Sequence, residues 1–218
     1  MAGQDIDRAF WAGRRVLVTG HTGFKGSWLA LWLADLGAQV HGLALDPNTT
    51  PNHFDLAGIG AHLAADHRVD LRDQEATQAA IFETAPEIVF HMAAQPLVRR
   101  AHAEPVETFA TNVMGTVHVL DALRRVPELV ACVAITTDKV YRNVERIEPY
   151  REDDALGGHE PYGTSKAAME MAIEAWRHSW FAPQGIGLVA VRAGNVVGGG
   201  DWCADRLVPD FVRAAHAG

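Results

Sequence analysis

The sequence predicts an α/β fold with a doubly wound parallel sheet. Short apolar runs rich in β-branched residues alternate with longer helical stretches along most of the chain. This alternation is typical of a parallel sheet with helices on both faces. The 218 residues suit one large domain, or one domain with the beginning of another, and 48% of them are hydrophobic. With only 21% charged residues, the composition excludes disordered, collagen-like and coiled-coil chains.

Strands and helices are predicted in strict alternation along the chain. The strands are predicted over residues 15–19, 39–45, a short stretch closed by Val69, 87–92, 129–136 and 186–191. The helices are predicted over residues 24–36, 74–84, 105–125 and 161–181. The first helix carries apolar residues on all sides, so we expect it to be buried and to end at Gly37. The polar, acidic stretch 142–159 and the segment 193–205 are predicted as loops.

Charge and composition narrow the kind of partner. With 19 basic and 27 acidic residues, the net charge is −8 and no basic stripe is visible, which favours a small molecule over nucleic acid. Cys132 and Cys203 lie far apart without CxxC spacing, so neither a disulfide framework nor a zinc site is predicted. Eleven histidines lack the spacing of metal ligands, so no metal site is predicted, and His53 is expected at the surface.

The same composition bears on location. No apolar run approaches the length of about 18 residues that a spanning helix requires. The first 15 residues lack the apolar segment of a secretory leader. The sequence therefore predicts a soluble, cytoplasmic protein without a membrane partner.

A glycine-rich turn, GxxGxxG, joins the first strand to the first helix. Gly20 permits the tight turn, Gly23 lets the backbone approach a pyrophosphate, and Gly26 lets helix and strand pack closely. No GK[ST] follows, which excludes a P-loop, whereas a flavodoxin-like sheet without cofactor stays open. The turn predicts a dinucleotide site that also involves Thr22, Phe24 and Lys25. For Lys25, a solvated side chain is the alternative to a ligand contact.

Two acidic residues follow the next strands. Asp46 lies 26 residues after Gly20, where a carboxylate holds the ribose hydroxyls, and it favours NAD because it would repel the 2′-phosphate of NADP. Asp70 follows the third strand and is predicted to meet the adenine edge. The rest of the NAD pocket is predicted from neighbouring segments, which supply Leu71 and, in the His-Met-Ala-Ala segment that begins at His91, Ala93 and Ala94.

Tyr162 and Lys166 lie at i and i+4 on one helical face. A phenol with a pKa of about 10 is a poor base at neutral pH. A nearby ammonium and a cationic nicotinamide both favour its phenolate, so the pair is suited to removing a proton from a sugar hydroxyl. A YxxxK spacing alone often occurs by chance, and the alternative interpretation is a Tyr–Lys pair at the protein surface.

The motifs together resemble those of the extended short-chain dehydrogenase/reductases, which have a Rossmann-like fold. The shared features are TGxxGxxG, the segment 91–94, Thr-Thr-Asp-Lys at 136–139, and YxxxK. Within this superfamily, residues 20–29, 136–141, 162–170 and 192–202 are similar to the nucleotide-sugar 4,6-dehydratases that act on CDP-glucose. Dehydratases for dTDP-glucose carry an acidic residue in place of Lys139, and 4-epimerases usually lack the aspartate beside it.

The resemblance implies conversion of CDP-glucose to CDP-4-keto-6-deoxyglucose by internal hydride transfer and loss of water. Tyr162, with Lys166 and Thr137, would take the 4-hydroxyl proton while hydride passes to NAD, and the 4-ketone would acidify the C5 hydrogen. Asp138 would protonate the departing 6-hydroxyl. Lys139 would serve the C5 proton transfer, either as a neutral base or as a charged stabiliser of the enolate. A capping, solvated ion pair is the alternative for these last two residues.

The resemblance also implies substrate contacts and an organisation of the chain. Gln95, Asn195 and Arg206 are the predicted substrate residues. Residues 1–200 would form the NAD-binding domain with the catalytic residues, and 201–218 only the beginning of a truncated, small C-terminal substrate lobe. A homodimer through helices 105–125 and 161–181 is expected. The alternatives are another extended short-chain dehydrogenase (a dTDP- or GDP-sugar dehydratase, or a 4-epimerase) and a non-catalytic NAD-binding module.

Overall fold

The computed structural model describes residues 6–218, so the first five residues of the segment used for the leader prediction lie outside it. It confirms the doubly wound parallel sheet. Six strands pair in the order β3-β2-β1-β4-β5-β6, every pair parallel. The strands are β1 Arg15–Thr19, β2 Gln39–Ala44, β3 Ala65–Arg68, β4 Ile88–His91, β5 Ala131–Thr137 and β6 Gly187–Ala193. Each ends within two residues of its predicted position.

Helices connect the strands on both faces. They are α1 Arg8–Trp11, α2 Phe24–Asp35, α3 His53–Leu56, α4 Gln74–Thr84, α5 Val98–Ala103, α6 Pro105–Phe109, α7 Gly115–Leu123, α8 Pro161–Trp176 and α9 Leu207–Ala217. The predicted helix over 105–125 is α6 and α7 joined by a wider π-type turn, Ala110–Met114, and a second such turn, Arg177–Phe181, follows α8. The short helices α1, α3 and α5 and the last helix were not predicted.

Two hydrophobic cores cover the two faces of the sheet. Because successive side chains of a strand point to opposite faces, β1 sends Leu17 into one core and Val16 and Val18 into the other. The first core also holds side chains of α4, α7 and α8, and the second holds those of α2 and α3. This two-sided cover explains why the central strands β1 and β4 lack an alternating polar pattern.

Helix α2 differs from its prediction. Trp28 and Trp32 are 46% and 52% exposed, so the expectation of a helix buried on all sides is wrong. Its buried residues, Gly26, Ser27, Ala30 and Leu33, lie on a single face. The helix covers the sheet from outside with no layer beyond it, and apolar content alone did not reveal which side faces solvent. Among residues 6–218, no helix is long and apolar enough to cross a membrane.

Candidate active site

A cavity of about 1550 Å³ opens at the carboxyl ends of the strands. It includes the ends of β1 and β4, the neighbouring strands from which the chain winds outward in opposite directions. Ligands bind at such reversal points in open α/β sheets. Its lining includes nearly all predicted site residues, namely Gly20, Thr22, Gly23, Phe24, Lys25, Gly26, Asp46, Asp70, Leu71, Ala93, Ala94, Gln95, Thr137, Lys139, Tyr162, Lys166, Asn195 and Arg206. Asp138 is the predicted residue that does not line it.

The glycine-rich turn has the close packing that a dinucleotide cradle requires. Gly20 has a φ of +74°, and a Cβ there would lie 2.8 Å from the backbone of Ala93. A Cβ on Gly26 would lie 2.1 Å from the carbonyl oxygen of Gly20. Gly23 precedes α2, and no side chain caps this helix, so its first N–H groups are free to meet a phosphate. The backbone of the turn therefore fits a pyrophosphate.

The two predicted acidic residues have different surroundings. Asp46 lies two residues beyond the end of β2, its side chain is 87% exposed, and its carboxylate lies 3.3 Å from the Arg68 guanidinium. Asp70 accepts hydrogen bonds from Arg72 on both carboxylate oxygens at 2.5–3.0 Å, which lowers the pKa of Asp70. Both carboxylates have an arginine partner, but Asp46 has a single long contact and stays open to a ribose diol, whereas both oxygens of Asp70 are occupied by Arg72.

Lys25 is neither fully solvated nor paired with a carboxylate within residues 6–218. Burial lowers its pKa, and the positive charge of Arg206 acts in the same direction. Arg206 is half-buried, and its Nε atom is buried without a hydrogen-bond partner in the described chain. Two cations thus face one region of the cavity, an arrangement suited to an anionic ligand.

The start of α8 places Tyr162 at the cavity. The Glu160 carboxylate caps this helix by accepting hydrogen bonds from the backbone N–H groups of Tyr162 and Gly163 at 2.7 and 2.6 Å. Burial raises the pKa of Tyr162, while the Thr137 hydroxyl and the positive charge of Arg206 act in the opposite direction. In the protein alone, desolvation outweighs these contacts and favours the neutral phenol, so the predicted preference for phenolate depends on the bound cationic nicotinamide.

Lys166 lies one turn further along α8 and is only 3% exposed. Its ammonium donates a hydrogen bond to the carbonyl of Ile135 at 3.3 Å and lies 3.5 Å from the sulfur of Met169. Burial lowers the pKa of Lys166 to about 8, Lys25 adds to this effect, and Glu170 opposes it. The alternative of a surface Tyr–Lys pair is thereby excluded, since both side chains are buried.

The segment after β5 is open to solvent. The Thr137 hydroxyl donates to the Asp138 carboxylate at 3.1 Å and accepts the N–H of Lys139 at 3.4 Å. The Lys139 ammonium lies 3.7 Å from Asp138, and the two side chains are 46% and 57% exposed. These are the contacts of a capping ion pair, and they leave both charged groups accessible to solvent, with Lys139 at the cavity.

A family comparison agrees with this geometry. The model of the NAD dependent epimerase/dehydratase family matches residues 16–218. The chain belongs to this family. A curated relative, CDP-glucose 4,6-dehydratase from Salmonella typhimurium, is 52% identical over 96% of this chain and 59% of its own length.

Two solved structures of related enzymes have similar folds. The UDP-glucose 4-epimerase of Brucella ovis in complex with NAD is 27% identical, with a TM-score of 0.69 over 84% of this chain and 52% of that one. The dTDP-glucose 4,6-dehydratase of Bacillus anthracis in complex with NAD has a TM-score of 0.75 over 93% of this chain and 61% of that one. At 23% identity, this second likeness shows the fold alone. The chain spans less than two thirds of the length of each of these proteins.

One member of the family motif has a different role from the one expected. His91 was predicted near the cofactor pocket, but its side chain is fully buried between Thr19 and Thr116, at 2.8 and 2.9 Å. The Thr19 hydroxyl already accepts the N–H groups of Met92 and Ala93, so it donates its proton to Nδ1 of His91. Burial lowers the pKa of His91 to about 3, so this histidine is a neutral structural link.

Gln95 has little free hydrogen-bonding capacity for a substrate. Its side-chain amide donates to the carbonyl of Leu97 at 3.1 Å and to the hydroxyl of Thr108 at 2.9 Å. Its backbone is held by Asn112, which accepts the Gln95 N–H at 2.8 Å and donates to the Gln95 carbonyl at 3.1 Å. Asn112 lies in the π-type turn and also donates to Ser165 of α8 at 2.9 Å. Gln95 thus ties the loop after β4 to the neighbouring helices.

Sequence reasoning missed a buried ion pair behind the site. Arg192 on β6 donates to both carboxylate oxygens of Glu170 on α8 at 2.7–3.0 Å, and Thr136 donates to the same carboxylate at 2.6 Å. The Arg192 guanidinium also lies 4.6 Å from the ring centre of Tyr141. The pairing fixes α8 against β5 and β6. Arg192 belongs to one of the family-like segments, but its partner 22 residues away gave no local signal.

The remaining observations concern substrate residues and metals. Asn195 lies two residues beyond the end of β6, exposed, at the cavity. His53, expected at the surface, is buried against α2. Within residues 6–218, no group of three or more histidine, cysteine or acidic side chains is placed to hold a metal ion.

Proposed function

We propose that this chain carries the cofactor-binding and catalytic part of a nucleotide-sugar 4,6-dehydratase that uses NAD and acts on CDP-glucose. The observation that carries the proposal is the convergence of Thr137, Lys139, Tyr162 and Lys166 with the glycine-rich turn on one cavity. The 52% identity to the Salmonella enzyme supports the choice of CDP-glucose over other sugar nucleotides. In this proposal, residues 1–200 form the NAD-binding domain and 201–218 the beginning of the substrate lobe.

The residues of the turn would hold the dinucleotide. The pyrophosphate would lie on the N–H groups at the start of α2, beside Lys25, and the ribose hydroxyls would meet Asp46. The wall formed by Ala93 and Ala94 would lie along the cofactor. When bound, NAD supplies a hydride acceptor for C4 of the sugar and, after water is lost, the hydride that reduces C6.

Tyr162 would take the proton of the 4-hydroxyl. Burial raises the pKa of this phenol in the protein alone, so the phenol keeps its proton at neutral pH and requires positive charge nearby to act as a base. Lys166, with its pKa at about 8, carries such a charge below that pH and sits one turn away. The Thr137 hydroxyl would favour the phenolate when it turns its single proton from the Asp138 carboxylate to Tyr162.

Asp138 and Lys139 would serve the elimination of water. Asp138, in its protonated carboxylic acid form, would give its proton to the departing 6-hydroxyl, which leaves as water, and Lys139 would assist removal of the proton at C5. Both roles for Lys139, neutral base and charged stabiliser of the enolate, agree with its place at the cavity rim. Asn195 and Arg206 would contact the nucleotide diphosphate, which the unpartnered Nε of Arg206 supports.

A homodimer and a cytoplasmic location belong to the same proposal. Val106 on α6 is 83% exposed, and Met114 and Met171 on the adjoining helical surface are also exposed, which supports a helix-to-helix interface. The cysteines, Cys132 and Cys203, are free, as is usual in a reducing compartment. Sedimentation at micromolar concentration tests the dimer, and a monomer there would contradict it.

The decisive experiment is mass spectrometry of CDP-glucose incubated with the chain and NAD. Loss of one water supports the dehydratase, whereas an unchanged mass with epimerised sugar would favour the 4-epimerase.

Tyr162→Phe is expected to lower turnover by about 10²- to 10⁴-fold while NAD binding persists. Tyr150→Phe, in the surface loop, is the matched control. Unchanged turnover in Tyr162→Phe would contradict the catalytic role, and NAD binding without any turnover would favour a non-catalytic NAD-binding module.

A further inference from the structure

Three aromatic side chains form a contact surface for a glycine-rich loop on the substrate side. Phe24 and Trp28 belong to the first turns of α2, and His53 begins α3. We call this set the aromatic seat. The loop that rests on it is Gly198-Gly199-Gly200, between the end of β6 and the start of α9. Phe24 lines the cavity, whereas Trp28 and His53 lie behind its wall.

The contacts between seat and loop are direct. The Trp28 indole N–H donates a hydrogen bond to the Gly199 carbonyl at 2.9 Å. The Trp28 ring is stacked on His53, with 4.3 Å between ring centres and 24° between planes. The orientation of His53 is fixed from below, because its Nδ1 lies 2.7 Å from the Ser27 hydroxyl.

The loop packs so closely on the seat that Gly200 requires glycine and Gly198 leaves little room for a side chain. Gly200 has a φ of +84°, and a Cβ there would lie 2.6 Å from Cδ2 of His53. A Cβ on Gly198 would lie 3.1 Å from the Phe24 ring. These distances, with the Trp28 hydrogen bond, define one position for the loop backbone.

The loop carries the predicted substrate residues at either side. Asn195 comes three residues before Gly198, and Arg206 comes six residues after Gly200. Both line the cavity, and the Nε of Arg206 is buried without a partner among the described residues. The backbone that the seat holds thus lies between these two cavity-lining residues.

We propose that Trp28 and His53 are positioning residues for the sugar-nucleotide side of the site. They hold the Gly198–Gly200 backbone so that Asn195 and Arg206 face the diphosphate of the substrate. The identity of that ligand rests on the proposed function. Because Trp28 stands on the helix that begins at the cofactor turn, α2 sets the geometry of both ligand sides.

Trp28→Phe tests the hydrogen bond, since it keeps an aromatic ring on His53 and removes the N–H donor. Trp28→Leu removes both. Trp32→Phe and Trp32→Leu are the matched controls, because Trp32 lies one turn later on the same helix with similar exposure. We expect Trp28→Phe to weaken CDP-glucose binding about three- to tenfold, the range of one net hydrogen bond, and Trp28→Leu to weaken it further. The Kd for NAD is expected to stay within about twofold of the wild type in all four variants.

A second measurement needs no ligand. Tryptic cleavage after Arg206, identified by mass spectrometry, reports opening of the loop in the free chain. We expect this cleavage to be several times faster in Trp28→Leu than in Trp32→Leu. Equal cleavage rates in the Trp28 and Trp32 variants would overturn the proposal. If the wild type binds no CDP-glucose, the proposed function fails for this chain, and the cleavage rates still decide the role of the seat.

Discussion

The two lysines of the proposed catalytic set occupy contrasting parts of one cavity. Lys166, at the start of α8, is 3% exposed, whereas the Lys139 side chain, after β5, is 46% exposed. The first has a pKa lowered to about 8 by burial and is held by the carbonyl of Ile135. The second has only an ion pair at 3.7 Å with an exposed carboxylate. The fold thus fixes the position of one lysine and lowers its pKa, and it leaves the other lysine open to solvent.

The ion pairs near these lysines differ in the same way, because one is buried and the other is exposed to solvent. Glu170, on the same helix as Lys166, is buried and accepts from both Arg192 and Thr136. A buried carboxylate costs free energy unless it is paired, so such a network acts as a unit. The exposed Asp138–Lys139 pair is screened by water and contributes little to stability. We infer that the α8 side is preorganised by folding and the β5 end is not.

The largest expected effect comes from opening the buried pair. Arg192→Met leaves the Glu170 carboxylate without its bidentate partner and is expected to lower the free energy of unfolding by about 3–5 kcal/mol. Chemical denaturation measures it. Arg177→Met is the matched control, since Arg177 pairs with exposed Glu174 and its loss should cost less than about 1 kcal/mol. Equal losses in the two variants would remove the distinction between buried and exposed pairs.

Lys166→Met is expected to stabilise the fold while it abolishes turnover. The pKa of Lys166 in the folded protein is about 8, below the usual 10.5, so the charged form destabilises the folded state. At about 1.4 kcal/mol per pKa unit, the variant gains roughly 3 kcal/mol at pH 7. The unfolded chain keeps this proton up to about pH 10.5 and the folded protein releases it near pH 8, so the gain shrinks between these values and is absent above them. Thermal unfolding from pH 7 to 11 checks this, and a gain that persists at pH 11 would contradict it.

Asp46 is an exposed charged group, like Lys139, but it lies on the side of the cavity where NAD is expected to bind. Its exposed charge is the element expected to repel a 2′-phosphate, and Arg68 stands 3.3 Å away. Asp46→Asn is therefore expected to raise the affinity for NADP about tenfold and to weaken NAD binding, as measured by calorimetry. In the Asp46→Asn background, Arg68→Gln should reverse the gain. Unchanged NADP binding in Asp46→Asn would show that this carboxylate does not set the preference.

The smallest effect on stability is expected at the exposed end of β5. Lys139→Met should change the free energy of unfolding by less than about 1 kcal/mol, because the pair with Asp138 is open to water. Turnover of CDP-glucose should fall nonetheless. A large loss of stability would show that the ion pair supports the fold and would weaken its proposed role in catalysis.

Local motifs allowed much of the site to be predicted. The glycine turn and the Tyr162–Lys166 spacing depend on neighbouring residues, and the structure brings both to the same cavity. The alternation of strands and helices gave the sheet, with strand ends correct to within two residues. Such features depend on backbone geometry and on the period of each element.

The features that were missed depend on distant partners. Trp28 meets Gly199 across 171 positions, and Asn112 meets Ser165 across 53. His91 belongs to a family motif, but its burial between two threonines could not be predicted from the sequence. The raised pKa of Tyr162 results from desolvation, which leaves no pattern in the sequence. Each of these features depends on tertiary contacts, which the periodicity of the sequence does not show.

The π-type turn at Ala110–Met114 affects how fast a nearby backbone amide exchanges with solvent. Asn112 makes both backbone hydrogen bonds of Gln95 and also donates to Ser165, so the Gln95 amide in the loop after β4 is coupled to α8. Amides in loops usually exchange with solvent quickly, through local fluctuations of low free energy. The Gln95 amide should instead exchange as slowly as a core strand. The rate of its hydrogen–deuterium exchange therefore reports how often α8 opens.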